Sequence, residues 1–226
     1  MRFNPRFFVA AFGATLLISG ASAQTVVASS TFDADDDGWQ VREYNNNTNT
    51  FLAFDAPDYF STGGNPGGHI GYTDTVPGGW WYYAPAKYLG DKSLSYGQRL
   101  SFDLKWVGGD SVGNNGPDVV LYDGTTHIRT QFTYPTDQWA SYNATLSETG
   151  WHKTNAAGTA DNGVVTAAEF QTVLGNLQEL RIRGDWRNPL GDASRLDNVQ
   201  LEAVPEPTTI AALGLGALAL LRRNRK

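Results

Sequence analysis

Apolar side chains recur at every second position through the middle of this chain, and that period commits it to β structure. Leu100, Phe102, Leu104 and Trp106 share one face of an extended segment, Ile128, Thr130 and Phe132 a second, and Tyr142, Ala144 and Leu146 a third. Period two is the side-chain repeat of a strand with one face on a core and the other in water. Asp118 to Tyr122 is a shorter run, opened by Gly116-Pro117 and closed by Asp123-Gly124, whose turn chemistry predicts a hairpin into the segment at Ile128. Asn45 to Asn49 and Ser61 to Gly68 read as loops. One segment breaks the period: Thr166-Ala-Ala-Glu169 has the spacing of a capping box, and Phe170, Val173, Leu174 and Leu177 follow at helical intervals. Leu180 and Ile182 then resume the alternation. Many short strands, regular turns and one short covering helix predict a mostly β chain folded as an antiparallel β-sandwich.

Both ends are of another character. Arg2 and Arg6 precede the apolar run Phe7 to Ile18, and Ser19-Gly20-Ala21-Ser22-Ala23 supplies small residues before Gln24, the pattern of a secretory signal peptide over 1–23. At the other end Val204-Pro205-Glu206-Pro207 runs into the apolar stretch Ile210 to Leu221, and the chain stops in Arg222-Arg223-Asn224-Arg225-Lys226. Four cations within five residues would hold that end at the cytoplasmic face of a membrane. Residues 205–221 would span roughly 25 Å as a helix against a hydrocarbon core of about 30 Å, which is marginal for a permanent anchor. The order Pro-Glu-Pro, apolar helix, basic end resembles the PEP-CTERM sorting signal of bacterial envelope proteins. That resemblance implies a precursor transiently inserted in the inner membrane and processed near Pro205, Glu206 and Pro207 by an exosortase-type transpeptidase, with Arg222 and Arg223 as part of the stop. The folded unit is then 24–203, one domain with room for a sizeable core.

Residues 24–204 carry eleven Lys or Arg against twenty-two Asp or Glu, a net charge of −11 that the whole-chain value of −6 hides. A surface so acidic disfavours nucleic acid and favours cations. Cysteine is absent, so stability must come from the core or a bound metal.

The block Trp81-Tyr82-Tyr83-Ala84-Pro85-Ala86-Lys87-Tyr88-Leu89-Gly90-Asp91, followed by Ser95-Tyr96-Gly97 and Leu100, is similar to the laminin IV type A (laminin B) domain. Asp118-Val-Val-Leu121 with Gly124, the segment from Val165 to Arg183, and the closing Leu196-Asp197-Asn198-Val199-Gln200-Leu201 keep that family's order. The resemblance implies a jelly-roll-like β-sandwich of extracellular architecture without catalysis. It also departs from animal laminins, which set this domain among disulfide-rich repeats missing here.

Three constellations bear on chemistry. Asp33-Ala-Asp35-Asp36-Asp37-Gly38 has the opening spacing of an EF-hand loop, but the twelfth position holds Tyr44, with Glu43 one residue short, and no helices flank it. Jelly-roll modules resembling this one instead imply a structural calcium between the acidic start of the first strand and an Asp of the last, here Asp33, Asp35 and Asp197; a solvated acidic turn is the alternative. Trp80-Trp81-Tyr82-Tyr83 offers flat rings, and alternation sends Trp80 and Tyr82 to one face, either as a sugar-stacking platform or as core. Catalysis finds little: His69, His127 and His152 lack metal-ligand spacing, no Gly-x-Ser-x-Gly is present, and outside the cap and the tail only Glu43, Glu148 and Glu179 remain for a glycosidase pair. The expectation is an exported, non-catalytic structural or adhesive protein of the cell surface or extracellular (biofilm) matrix. The alternatives are a carbohydrate-binding module for an exopolysaccharide and, third, a glycan hydrolase.

Overall fold

The computed structural model describes residues 24–108, 118–186 and 190–205. Among these residues thirteen strands form two antiparallel sheets. One sheet runs β10 (Ala140–Thr145), β7 (Arg99–Val107), β13 (Ala193–Ala203), β5 (His69–Thr73), β4 (Asp58–Phe60), with β1 (Thr25–Ser30) also on β13. The other runs β11 (His152–Thr154), β9 (His127–Thr130), β8 (Val119–Tyr122), β12 (Glu179–Arg183), β6 (Gly78–Tyr83), β2 (Gln40–Asn45), β3 (Thr50–Phe51). The expected hairpin between Tyr122 and His127 is present, with the Asp123 carboxylate accepting from the Thr125 and Thr126 amides.

The last strand organises the first sheet. Along one side β13 pairs with β7; along the other its first half pairs with β5 and its second half with β1. Where the partner changes, the register against β7 shifts between Asp197 and Gln200, and Asn198 adopts a left-handed φ of 50°. A bulge of this kind bends the strand and re-aims its side chains.

The core lies between the sheets. Leu100, Phe102, Leu104, Ile70 and Leu196 meet Val41, Trp80, Tyr82, Val119, Leu121, Leu180 and Ile182, all buried. Each large side chain so buried contributes on the order of 1.5–3 kcal/mol relative to exposure. Several polar tips find partners within the core: the Tyr82 hydroxyl donates to the Ser194 carbonyl at 2.9 Å, and Trp39 Nε1 and the Tyr88 hydroxyl both donate to Ser30 Oγ at 2.9 Å. The helix α1 (Ala167–Gly175) starts where the capping box places it, with both reciprocal bonds between Thr166 and Glu169 formed. Its Phe170 packs edge-on to Trp151 at 5.1 Å.

The aromatic run departs from one expectation. Trp80 and Tyr82 are 0% exposed, so neither ring is available to a sugar. The opposite face is covered as well, because Phe51 packs near Trp81, Phe54 on Tyr83, and the Arg181 guanidinium over Tyr83 at 5.2 Å. β6 is an interior strand roofed on both sides, so its sequence has no polar face.

Candidate functional site

The change of partner along β13 opens a junction on the outer face of the first sheet. Thr31 to Asp33 leave β1 there, and the 61–68 loop arrives there before β5. Asp197 stands directly opposite Asp103 of β7, and both are buried. The loop amide of Asn65 donates to Asp197 Oδ2 at 2.6 Å, the Asn198 amide to Asp197 Oδ1 at 2.7 Å, and the side chains of Asn198 and Ser141 donate to Asp103 at 2.9 and 2.6 Å. Close approach of the loop requires glycine: a Cβ on Gly67, at φ +89°, would fall 2.2 Å from Asp33 Oδ1, and one on Gly64 would fall 2.7 Å from Asp197 Oδ2. Burial, aided by the charges of Asp103 and Asp33, pushes the Asp197 carboxyl up to about 6 against the pull of its two amide donors. The 61–68 loop thus brings Asp33 and Asp197 to one junction, while Asp35 Oδ1 accepts from the Asp37 amide at 2.8 Å. Among the described residues no three His, Cys, Asp or Glu side chains are grouped as metal ligands.

The outer face of the second sheet is different in kind. Register sets His152, Arg129, Val120, Arg181, Tyr83 and Gln40 in one row across six strands, and Arg183, Trp81 and Arg42 in the next. Four of the eleven cations of residues 24–204 therefore share one face of an acidic domain. Three of them have clear partners. Arg42 lies between the rings of Phe51 and Phe54 at 4.9 and 4.7 Å; Arg181 bonds Glu179 at 2.8 Å and the Ala156 carbonyl at 2.7 Å; Arg183 sits over Trp186 at 4.7 Å, 3.8 Å from Asp118. Burial nevertheless outweighs the Arg183 charge at Asp118 and pushes its carboxyl up to about 7, as desolvation of a buried pair leads one to expect. The fourth, Arg129, borders an open cleft with His152 and Asp161.

A family model described as Laminin B (Domain IV) matches residues 81–212, more than half of the chain. The chain belongs to the laminin B family. Human laminin subunit gamma-1 is 27% identical to it over 211 residues, covering 87% of this chain, and the Danio rerio laminin subunit gamma-1 is 26% identical over 188 residues, covering 76%. The chain spans about a tenth of the length of these relatives, 11% and 10%. Among solved structures, the L4b domain of human laminin alpha-2 superposes with a TM-score of 0.58 at 15% identity, covering 82% of this chain and all of that one, which supports the fold alone. A PEP-CTERM protein-sorting motif matches residues 203–226. A laminin B domain joined to this motif indicates an exported, cell-surface or extracellular protein, and the motif implies exosortase-related processing.

Within the laminin B domain, the block from Trp81 to Asp91 links the sheets. It leaves β6 and carries the buried Tyr88, whose hydroxyl reaches Ser30 of β1 and the Val199 carbonyl of β13 at 2.9 Å. At the C-terminal end β13 stops at Ala203, and the Val204 amide donates to the Leu94 carbonyl at 3.0 Å. Pro205 follows at once. Glu206, Pro207, Arg222, Arg223, the apolar run Ile210 to Leu221 and the signal segment 1–23 lie outside the described residues, and no described helix is long and apolar enough to cross a membrane. The three remaining Glu residues hold separate posts: Glu43 accepts from Tyr72, Thr75 and Val76, Glu148 from Tyr96, and Glu179 from Arg181. Two features went unread in the sequence, Asp103 and the Arg129 cleft. Asp103 was accessible through parity, since it alternates with the apolar Phe102 and Leu104 and so faces outward.

Proposed function

We propose that the laminin B domain is a non-catalytic structural or adhesive module of the cell surface or extracellular matrix. It is released from an inner-membrane precursor by an exosortase-type transpeptidase. The observation that carries this reading is positional: the sorting motif begins at residue 203, where β13 ends. The last strand ends on the first residue of the motif, so a cut beyond Pro205 leaves the core intact. The separate engagement of Glu43, Glu148 and Glu179 supports a non-catalytic role. Deleting the host's exosortase gene and following the protein's mass and location tests the route. Uncut precursor in the inner membrane is the expected result, and replacing Glu206 or deleting Arg222 to Lys226 should reproduce it. Mature protein that still carries Ile210 to Leu221 in unmodified cells would overturn the reading.

A structural calcium at Asp33 and Asp197 is part of the proposal. The donors are hard carboxylate oxygens, the type calcium takes, and a cation would relieve the mutual repulsion of Asp33, Asp103 and Asp197. Backbone carbonyls and water would have to complete its shell.

A further inference from the structure

We propose that the cleft around Arg129 binds an acidic sugar, with Arg129 taking the carboxylate of a uronic acid and His152 a neighbouring hydroxyl. The cleft has a volume of about 270 Å³ and is lined by Arg129, Thr130, Gln131, Gly150, His152 and Asp161. Arg129 and His152 face each other across the β9–β11 pair at one end of the second sheet, where residues 162–165 run along the far side of β11. Arg129 Nε is shut off from water and has no hydrogen-bond partner. The charge of Arg129 is felt by Asp118 and Asp161 but forms no ion pair with either within 4 Å. With Nε enclosed, the guanidinium must engage a ligand through its two terminal nitrogens, for which no protein acceptor is present among the described residues, and a planar carboxylate is the group that matches that fork.

His152 supplies the complementary half. Its Nδ1 lies 3.0 Å from Asp161 Oδ1. With the carboxylate accepting there, the neutral ring carries its proton on Nδ1 and offers the Nε2 lone pair as an acceptor. A donor for a carboxylate beside an acceptor for a hydroxyl describes a hydroxy acid better than a phosphate, which would bring two acceptor-rich faces. The Thr130 hydroxyl, which donates to the Gly150 carbonyl at 3.0 Å, retains lone pairs for a second sugar hydroxyl. The inference gives the carbohydrate-binding alternative a ligand class and a site, and it does not depend on how the protein is sorted.

Calorimetric titration of the purified protein with oligogalacturonate, a neutral glucan oligomer of equal length and inorganic phosphate tests it. Saturable heat is expected from the uronate alone. Arg129→Gln should weaken that binding by about tenfold or more, the loss of one charge-assisted bidentate contact. His152→Ala, at a half-buried position of β11 outside the core, should weaken it with the melting midpoint little changed. Absence of uronate binding, equal binding of the neutral oligomer, competition by phosphate at equal strength, or full binding by both variants would each overturn the proposal. Because the titration uses protein already in hand, a negative result leaves the sorting experiment untouched.

Discussion

A carboxyl group buried against two others responds to acid in the opposite sense to a salt-bridged one. The Asp197 carboxyl titrates near 6 in the folded chain against an ordinary value of 3.8. Between those values the folded state holds more protons than the unfolded one, so stability falls as pH rises. Its contribution is fully present below about 3.8 and is lost as pH rises through about 6. Metal-free protein should therefore show a falling component of the melting midpoint across that window, and Asp197→Asn should flatten it. Calcium at roughly a hundred times its dissociation constant should add about 2.7 kcal/mol, and magnesium less, because it demands a tighter octahedron. Asp197→Asn should abolish the calcium response, whereas Asp36→Asn, in the acidic turn, should preserve it. Identical melting curves with calcium and with chelator would show that the cluster relaxes by protonation alone. The outward parity of Asp103 was readable from its strand, but its position opposite Asp197 was not, because that depends on which of thirteen strands pairs with β7.

The elements themselves were legible to the degree that their determinants are local. α1 begins where Thr166 and Glu169 say it should, since a capping box is complete within four residues. Thr166→Ala should cost about 1 kcal/mol, more often below 2 than above, read as a shift in urea midpoint. Glu169, held down to about 2 by the Thr166 amide first and then by Lys153 and the Thr166 hydroxyl, contributes stability above its ordinary value near 4.5 that is lost as pH falls through about 2. β7 was equally plain, with Leu100, Phe102, Leu104 and Trp106 all on the buried face. β6 was not. Alternation assigns a strand's faces only when one of them is wet, and Trp80 to Tyr83 are covered on both by segments distant in sequence. β9 was read two residues too long: it ends at Thr130, and Phe132 packs against the core from beyond the strand.

On the scale of the molecule, the sorting motif and the last strand meet almost without a linker. Leu201 and Ala203 are buried at 1% and 3%, whereas Pro205 lies past the strand. Protein truncated after Val204 should melt as the processed form does. Truncation after Gln200 should lose about 2–5 kcal/mol, the range for emptying a buried leucine site, measured by urea unfolding. A processing cut upstream of Val204 would thus release a destabilised domain.

The seam between β1 and β13 also determines how the domain bears a load. Thr25 lies opposite Ala203, so the two ends leave the sandwich side by side. A pull between them acts across the hydrogen-bonded rungs and peels them one at a time from that end, as a zipper opens. A load that enters through a sheet face and leaves by the C-terminus runs instead along β13, whose rungs to β7 on one side and to β5 and β1 on the other resist together in shear. The same domain is weak as a link between its own ends and strong as a tether from a surface to whatever its face holds.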